Sequence, residues 1–352
     1  MKISILTHPL GANYGGILQA FALSTYLREQ GHEVFVFNRN VDMTLLKRVI
    51  KVIMVVLHHP RYSNPRYQHL VRFVKRHIPY TKPFYTSAQM TEFVRKNKIQ
   101  ASIVGSDQVW RAGYAMGYGY DYFLEFVPVG VKRLSYAASF GLSEWEYTSE
   151  QTSKIRHLVK DFTAVSVRED EGVTLCQEYL KVKAEHLLDP TMLLRAEDYD
   201  IVTSSRIIFE NYVFVYWLGS AEEKQKAIAE AKIAGKTLVD ISLRGGEPLI
   251  PIEDWLSYIK YTDRVVTDSF HGCVFSILFQ KQFTIYTNKS GGNGRLRSLF
   301  SMLGIDPTAD NIDYGVVCKR LDEQRTKSYS FLKQALQLSL IHISEPTRQA
   351  EI

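Results

Sequence analysis

The sequence predicts an α/β protein built from two consecutive runs of alternating strands and helices, and three observations predict it. Short β-branched apolar runs alternate with longer segments of helical spacing from Ile3 to Leu194, and again from Val213 to Leu303. A polar stretch without apolar period, Arg195–Arg206, separates the two runs. Finally, Thr262–Tyr286 (TDRVVTDSFHGCVFSILFQKQFTIY) holds a whole repeating unit: a buried strand at Arg264–Thr267, a polar turn at Asp268–Gly272, an apolar helix from Cys273 to Phe279, and a strand from Phe283. Such a unit presents its turn at the carboxyl end of a parallel sheet, where open α/β folds hold their ligands. His271 then stands at a helix N-terminus, beside backbone N–H groups that favour an anion. A chain of 352 residues suits two domains better than one.

Taken in order, Ile3 to Leu6 is a strand, and Gly11–Gly16 (GANYGG) is a glycine-rich loop opening a helix. Ala20, Leu23 and Leu27 recur at helical spacing in that helix, and Gly31 is its natural cap. Glu33 to Phe37 is the next strand. No dinucleotide site is expected here, because GANYGG does not fit GxGxxG and no acidic residue closes the second strand. The glycines serve either a tight turn or a substrate loop. Met90–Lys98 reads as a helix, and Ala101–Val104 as a strand ending in Gly105-Ser106-Asp107-Gln108. The strands Leu134–Ala138 and Thr163–Val167 flank a helix near Ser149–Lys160. Arg168 and Glu169 stand where the second of these strands ends and a helix to Tyr179 begins, and Leu187–Thr191 closes the first run. In the second run, Val213–Leu218 and Thr237–Ser242 are strands, the latter leading to Arg244, while Ala221–Ile233 and Ile252–Lys260 are helices. A glycine-rich loop, Asn288–Arg295, and a helix from Leu296 to Leu303 follow the central unit.

Lys and Arg exceed Asp and Glu by 43 to 37, which suits an anionic ligand or membrane surface; no nucleic-acid partner is expected. Cys176, Cys273 and Cys318 are odd in number and far apart, so neither a disulfide framework nor a metal site is expected. The first apolar run is too short for a signal peptide, and no stretch approaches the ~20 apolar residues of a membrane span. A cytoplasmic protein is expected, with contact at the inner face of the membrane left open. That contact would come from Leu45–Leu57 (LLKRVIKVIMVVL), where Lys47, Arg48 and Lys51 fall on one side of a helical wheel. The run is either a helix lying in the lipid interface or an ordinary helix packed on the domain with a solvated basic face. Residues 338–352 read as foreign, since LSLIHISEPTR is the translation of a transposon end used in sequencing libraries; they are treated as an adaptor artefact outside the fold.

Six motifs in order carry a family resemblance: ANYGGILQAFAL (Ala12–Leu23), VGSDQVW (Val104–Trp110), SYAASFG (Ser135–Gly141), SVRED (Ser166–Asp170), LLDPTMLL (Leu187–Leu194), and TDSFHG with FSILF (Thr267–Phe279). Together they resemble the polysaccharide pyruvyl transferase family. The resemblance implies two Rossmann-like domains facing across a cleft, similar to GT-B glycosyltransferases, with residues 1–197 on the acceptor side and 206–337 on the donor side. It also implies transfer of pyruvate from phosphoenolpyruvate, the donor substrate, onto two hydroxyls of a sugar in a cell-surface or exopolysaccharide precursor. The acceptor is expected to be a lipid-linked oligosaccharide, and no cofactor is implied.

That chemistry needs a cationic cradle for phosphate and carboxylate, an acid for the vinyl carbon and a base for the hydroxyl. His271 matches the family's functional histidine, Arg168 the arginine of its SVRE turn, and Asp107 an acidic residue of its first domain. Many members carry Arg-Leu-His where this chain has Ser269-Phe270-His271, so a phosphate-binding arginine is missing from its usual place. Arg244 and Arg295 are candidates to replace it, with Ser269, Asn13 and Tyr14 as further substrate contacts. Bland alternatives stand beside these: a hydrogen-bonded turn histidine, an interface salt bridge at Arg168, and a turn cap at Asp107. Two other functions also stay open. One is a nucleotide-sugar glycosyltransferase on the same fold, for which no ribose or diphosphate group is identifiable; the other is a non-catalytic glycan or sugar-phosphate binding protein.

Overall fold

The computed structural model describes residues 1–11, 13–41, 65–204, 211–230, 235–242, 249–286, 293–309 and 311–337. The amphipathic run 45–57, Arg244 and the tail 338–352 lie outside the described residues.

Strand β1 (Lys2–Leu6) is central to a five-stranded sheet completed by β2 (Glu33–Arg39), β3 (Tyr80–Phe84), β4 (Ala101–Val104) and β5 (Lys132–Ser135), in the order β3-β2-β1-β4-β5. Every pairing is parallel. β4 is buried along its whole length, as a parallel strand covered on both faces must be, and this is why its sequence lacks polar alternation. Two isolated bridges, Leu134 to Ala164 and Ala138 to Val167, continue the sheet toward the short pair β6 (Ser166–Val167) and β7 (Glu185–His186). A second parallel sheet has the order β11-β10-β8-β9, from β8 (Tyr212–Trp217), β9 (Thr237–Ser242), β10 (Arg264–Thr267) and β11 (Gln282–Ile285). The expected α/β class with two Rossmann-like units is what forms.

Helix α1 (Tyr14–Glu29) is apolar all round and buries thirteen of its sixteen residues. It can do so because both halves use it. Ile17, Phe21 and Leu23 share one apolar cluster with Ile3 and Ile5 of β1 and with Trp255 and Phe275 of the second half. On the first half lie α2 (Gln68–His77), α3 (Ser87–Lys96), α4 (Ser149–Val159) and α5 (Asp170–Leu175). On the second lie α6 (Ala221–Glu230), α7 (Ile252–Tyr261), α8 (Phe270–Leu278) and α9 (Asn293–Leu303). Thr148 and Thr86 close capping boxes that fix the starts of α4 and α3.

Some expectations need correction. The strand expected over Thr163–Val167 is two residues long, and the helix expected to reach Tyr179 stops at Leu175, followed by a wider π turn over Cys176–Leu180. Neither α2 nor β3 was foreseen; β3 carries Pro83, which an edge strand tolerates. Nor was α10 (Tyr314–Gln337), which leaves the second half and returns to the first. Its Arg325 donates from Nε to Met192 O at 2.8 Å and from Nη2 to Leu194 O at 3.1 Å. One turn on, Tyr329 stacks on Tyr26 with ring centroids 4.9 Å apart.

Candidate functional site

Four segments converge where the carboxyl ends of β1, β4 and β6 meet the β10–α8 turn. The first is the Asp107 turn after β4. Asp107 has φ of +74°, a left-handed conformation that a non-glycine residue keeps only when its surroundings hold it there. Its carbonyl accepts from Val109 N at 2.8 Å and Ser139 N at 3.0 Å, and its Oδ1 accepts from Gln108 N at 2.9 Å.

The second segment is Arg168, at the end of β6 and only 3% exposed. Its Nη1 donates to Asp189 Oδ2 at 2.8 Å, while Nη2 lies 3.6 Å from Asp107 Oδ1, an ion pair too long to be a hydrogen bond. Its Nε and Nη2 have no hydrogen-bond partner among the described residues.

Asp189, in the sequence only one residue of the LLDPT run, is the hub. Its Oδ1 takes bonds from Thr191 N (3.0 Å) and Thr191 Oγ1 (2.7 Å), and its Oδ2 those of Arg168 and of Ser106 Oγ at 3.2 Å. Burial pushes its carboxyl up, but His271 and Arg168 outweigh burial and hold it well below the usual carboxylate range. Asp107 is likewise held low: burial opposes, and Arg168, His8, His271 and Arg295 prevail.

The third segment starts α8. Ser269 is its N-cap, its oxygen accepting from Gly272 N at 3.2 Å, so the hydroxyl's visible role is to start the helix. Asp268 accepts from Leu218 N and Gly219 N, at 2.8 and 2.7 Å, and so ties the turn to the end of β8. His271 is buried, with Nε2 lacking a hydrogen-bond partner and 3.7 Å from Asp189 Oδ2. Its other edge rests on α1, where a Cβ at Gly15 would lie 2.0 Å from Nδ1. Gly16, one residue on, faces Asp107 Oδ2 at 3.4 Å by the same measure. The glycines of the first loop thus serve close approach to two candidate site residues.

Arg295, near the start of α9, is the fourth. Phe270 lies beneath both guanidinium groups, 4.6 Å from Arg168 Cζ and 5.8 Å from Arg295 Cζ. Arg295 Nε is also without a partner among the described residues. Burial, then the charge of Arg168, pull its pKa down to about 10. Nearby Glu169 accepts from Phe140 N at 2.7 Å and Gly141 N at 3.3 Å, and burial raises its carboxyl. The next residues, Asp170 and Glu171, hold α9 through Ser298 and Arg297, which fixes where Arg295 emerges.

Asn13 caps α1, accepting from Gly16 N at 3.3 Å, and lines a cavity of about 480 Å³ above the first sheet. Tyr14 corrects another expectation. It is fully buried, donates to Ile250 O at 2.9 Å and stacks on Trp255 at 5.3 Å, so it joins the two halves and cannot touch an acceptor. Arg244 lies outside the described residues. Among those residues no cluster of three or more His, Cys, Asp or Glu side chains has metal-site geometry, and no helix is long and apolar enough to cross a membrane.

The site therefore gathers two guanidinium groups and one imidazole that together leave four buried nitrogens without acceptors among the described residues. Leaving a buried donor unmet costs about 1–3 kcal/mol, more when it is charged, so this arrangement favours an anion with several oxygens.

A model of the family described as polysaccharide pyruvyl transferase matches residues 13–290. No curated protein matches the chain. Among solved structures, the UDP-GlcNAc 2-epimerase of Methanocaldococcus jannaschii aligns over 92% of this chain and 93% of its own, at 13% identity with a TM-score of 0.52. A candidate UDP-N-acetylglucosamine 2-epimerase from Listeria monocytogenes aligns over 96% and 91%, at 9% identity and a TM-score of 0.51. At these identities the likeness is one of fold, and that fold is GT-B-like.

Proposed function

We propose that this chain, which belongs to the polysaccharide pyruvyl transferase family, moves pyruvate from phosphoenolpyruvate onto two hydroxyls of a sugar in a cell-surface or exopolysaccharide precursor. Arg168 and Arg295 hold the phosphate and carboxylate of the donor, with Arg295 supplying the charge that Ser269 does not. In the first step a proton from His271 adds to the vinyl CH₂ and makes it methyl, while the first sugar hydroxyl bonds to C2 and loses its proton. In the second, the C2–O bond to phosphate breaks, the second hydroxyl closes the ring, and its proton leaves with the phosphate. The first hydroxyl's proton replaces the one that His271 gave to carbon and the second leaves with the phosphate, so both are accounted for. Asp189 is the counter-charge for Arg168 and for the protonated imidazole. Asp107 stands between the donor cradle and the cavity of about 480 Å³ that it also lines.

One observation carries this reading: Arg168 Nε, Arg168 Nη2, Arg295 Nε and His271 Nε2 are buried in one place without hydrogen-bond partners among the described residues. A di-anionic donor with phosphate and carboxylate oxygens satisfies all four. The test is incubation with phosphoenolpyruvate and lipid-linked sugar acceptors, following phosphate release and ketal formation. Sugar transfer from a UDP-sugar, with no phosphate released from phosphoenolpyruvate, would sink it.

A further inference from the structure

The site described above contains an acid but no convincing base. Asp107 is held ionised by surrounding cations, and the same cations make it a weak proton acceptor. The cavity it borders offers another group. His8 follows β1 and lines the cavity together with Asp107, Gln108, Tyr114 and Tyr118. Its Nδ1 is 3.2 Å from Tyr122 Oη, and its Nε2 is buried with no hydrogen-bond partner among the described residues. Burial raises the Tyr122 hydroxyl well above its usual value, so it stays a neutral phenol that can accept from Nδ1–H, and in that tautomer Nε2 is the basic nitrogen. The ring is fixed edge-on between Tyr122 and Tyr114, with centroids 5.1 and 5.7 Å away.

The lining also has a ligand class written into it. Tyr114 is 48% exposed, with Arg111 Cζ over its ring at 5.1 Å from the centroid, and this part-exposed aromatic together with the neutral polar group of Gln108 suits a polyhydroxylated ring. The one carboxylate named among these residues, Asp107, disfavours an anionic sugar. About 480 Å³ is room for a monosaccharide unit with part of its neighbour.

We propose that this cavity holds an uncharged hexose acceptor and that His8 removes the proton from its attacking hydroxyl, with Asp107 orienting that hydroxyl toward C2 of the donor. On the pyruvyl-transfer reading, on which this rests, the O–H bond breaks as the O–C2 bond forms, and the proton passes to Nε2 of His8. In the second step the second hydroxyl's proton leaves with the phosphate, and the proton held by His8 returns through solvent to His271, which gave one to the vinyl carbon, so both imidazoles are restored.

The test uses His8→Ala in the full chain, with phosphoenolpyruvate and a panel of p-nitrophenyl hexopyranosides. Phosphate release should fall about 100-fold, the usual scale for a lost base. Calorimetric binding of phosphoenolpyruvate should stay native, and added imidazole, entering the space left, should restore much of the rate. Should the alanine variant fold poorly, His8→Gln keeps the size and the Tyr122 contact, and the same fall is expected. Near-native turnover in either soluble variant overturns the proposal, as does a loss that imidazole cannot repair. If no hexoside promotes phosphate release in the native chain, the cavity assignment is wrong. Failure of the native chain to bind phosphoenolpyruvate at all is a separate result, which removes the donor reading itself.

Discussion

The sharpest perturbation of this site is a single methyl group at Gly15. A Cβ there would lie 2.0 Å from His271 Nδ1, 2.2 Å from its Cγ and 2.6 Å from its Cε1, so the whole ring is in the way. Ordinary contact needs about 3.5 Å, and relief therefore requires the ring or the helix to move by about 1.5 Å. A misplacement of ~1 Å at a reacting group is enough to cost about 100-fold in rate. Overpacking of this kind costs ~1–3 kcal/mol, against which alanine returns ~0.5–1 kcal/mol of helix propensity. Gly15→Ala should thus lose modest stability and most of its activity. Gly16→Ala is the internal control: its nearest neighbour, Asp107 Oδ2, is already at 3.4 Å, an ordinary contact. That variant should be neutral or slightly stabilised and should keep the larger share of turnover. The measurements are thermal unfolding and phosphate release from phosphoenolpyruvate for the two variants side by side. Equal activities, or a Gly15→Ala protein as active as the native one, would refute the claim that α1 sets the position of His271.

Four further outcomes are expected. Arg168→Lys keeps the charge and loses the planar fork, so the apparent affinity for phosphoenolpyruvate should drop ~10-fold or more; an unchanged KM would move the cradle elsewhere. Arg295→Gln should weaken donor binding while leaving acceptor dependence intact, and equal donor affinity would deny Arg295 its substitute role. His271→Gln should bind the donor normally in calorimetry yet turn over about 100-fold or more slowly, with a near-native rate reducing His271 to a turn residue. The buried Asp189→Asn variant should lose about 3–5 kcal/mol at neutral pH, since it removes the hydrogen-bonded counter-charge of Arg168 and leaves only the longer ion pair to Asp107. Because the folded Asp189 carboxyl is held below its unfolded value, its contribution is full above pH ~4–5 and drains as pH falls, at up to ~1.4 kcal/mol per pH unit. Denaturant titrations between pH ~5 and ~2 should give a slope shallower by about one proton in the variant; equal slopes would count against the ion-pair account.

What the sequence revealed follows from what is local. The Thr262–Tyr286 unit was legible because its strands, turn and helix each carry their own signal within a few residues, and the observed β10, α8 and β11 follow that pattern closely. Tyr14 was misread because a tyrosine beside glycines looks like a loop residue, whereas its partners Trp255 and Ile250 are more than two hundred residues away. The same distance hid the reason for Gly15, whose neighbour is His271. Asp189 and His8 escaped for another reason: a lone Asp before proline and a lone His after a strand carry no spacing signal, and only the fold gathers them around one site. The long helix α10 did leave a trace, in apolar residues at Val317, Leu321, Phe331, Leu332 and Ala335, but many charged residues lie between them.

That last helix also bears on how the chain is made. The main body of the first sheet is complete once β5 ends at Ser135, but α10 begins only at Tyr314. At ~5–20 residues per second, the ribosome needs ~10–35 s to supply the ~180 residues between them. Throughout that interval Tyr26 has no stacking partner, and the Met192 and Leu194 carbonyls, once made, lack Arg325. The first half therefore emerges with a bare aromatic flank, which the nascent chain covers only with its final turns. Holding chaperones have that window in which to act, and a chain stalled short of Tyr314 is the species most exposed to aggregation.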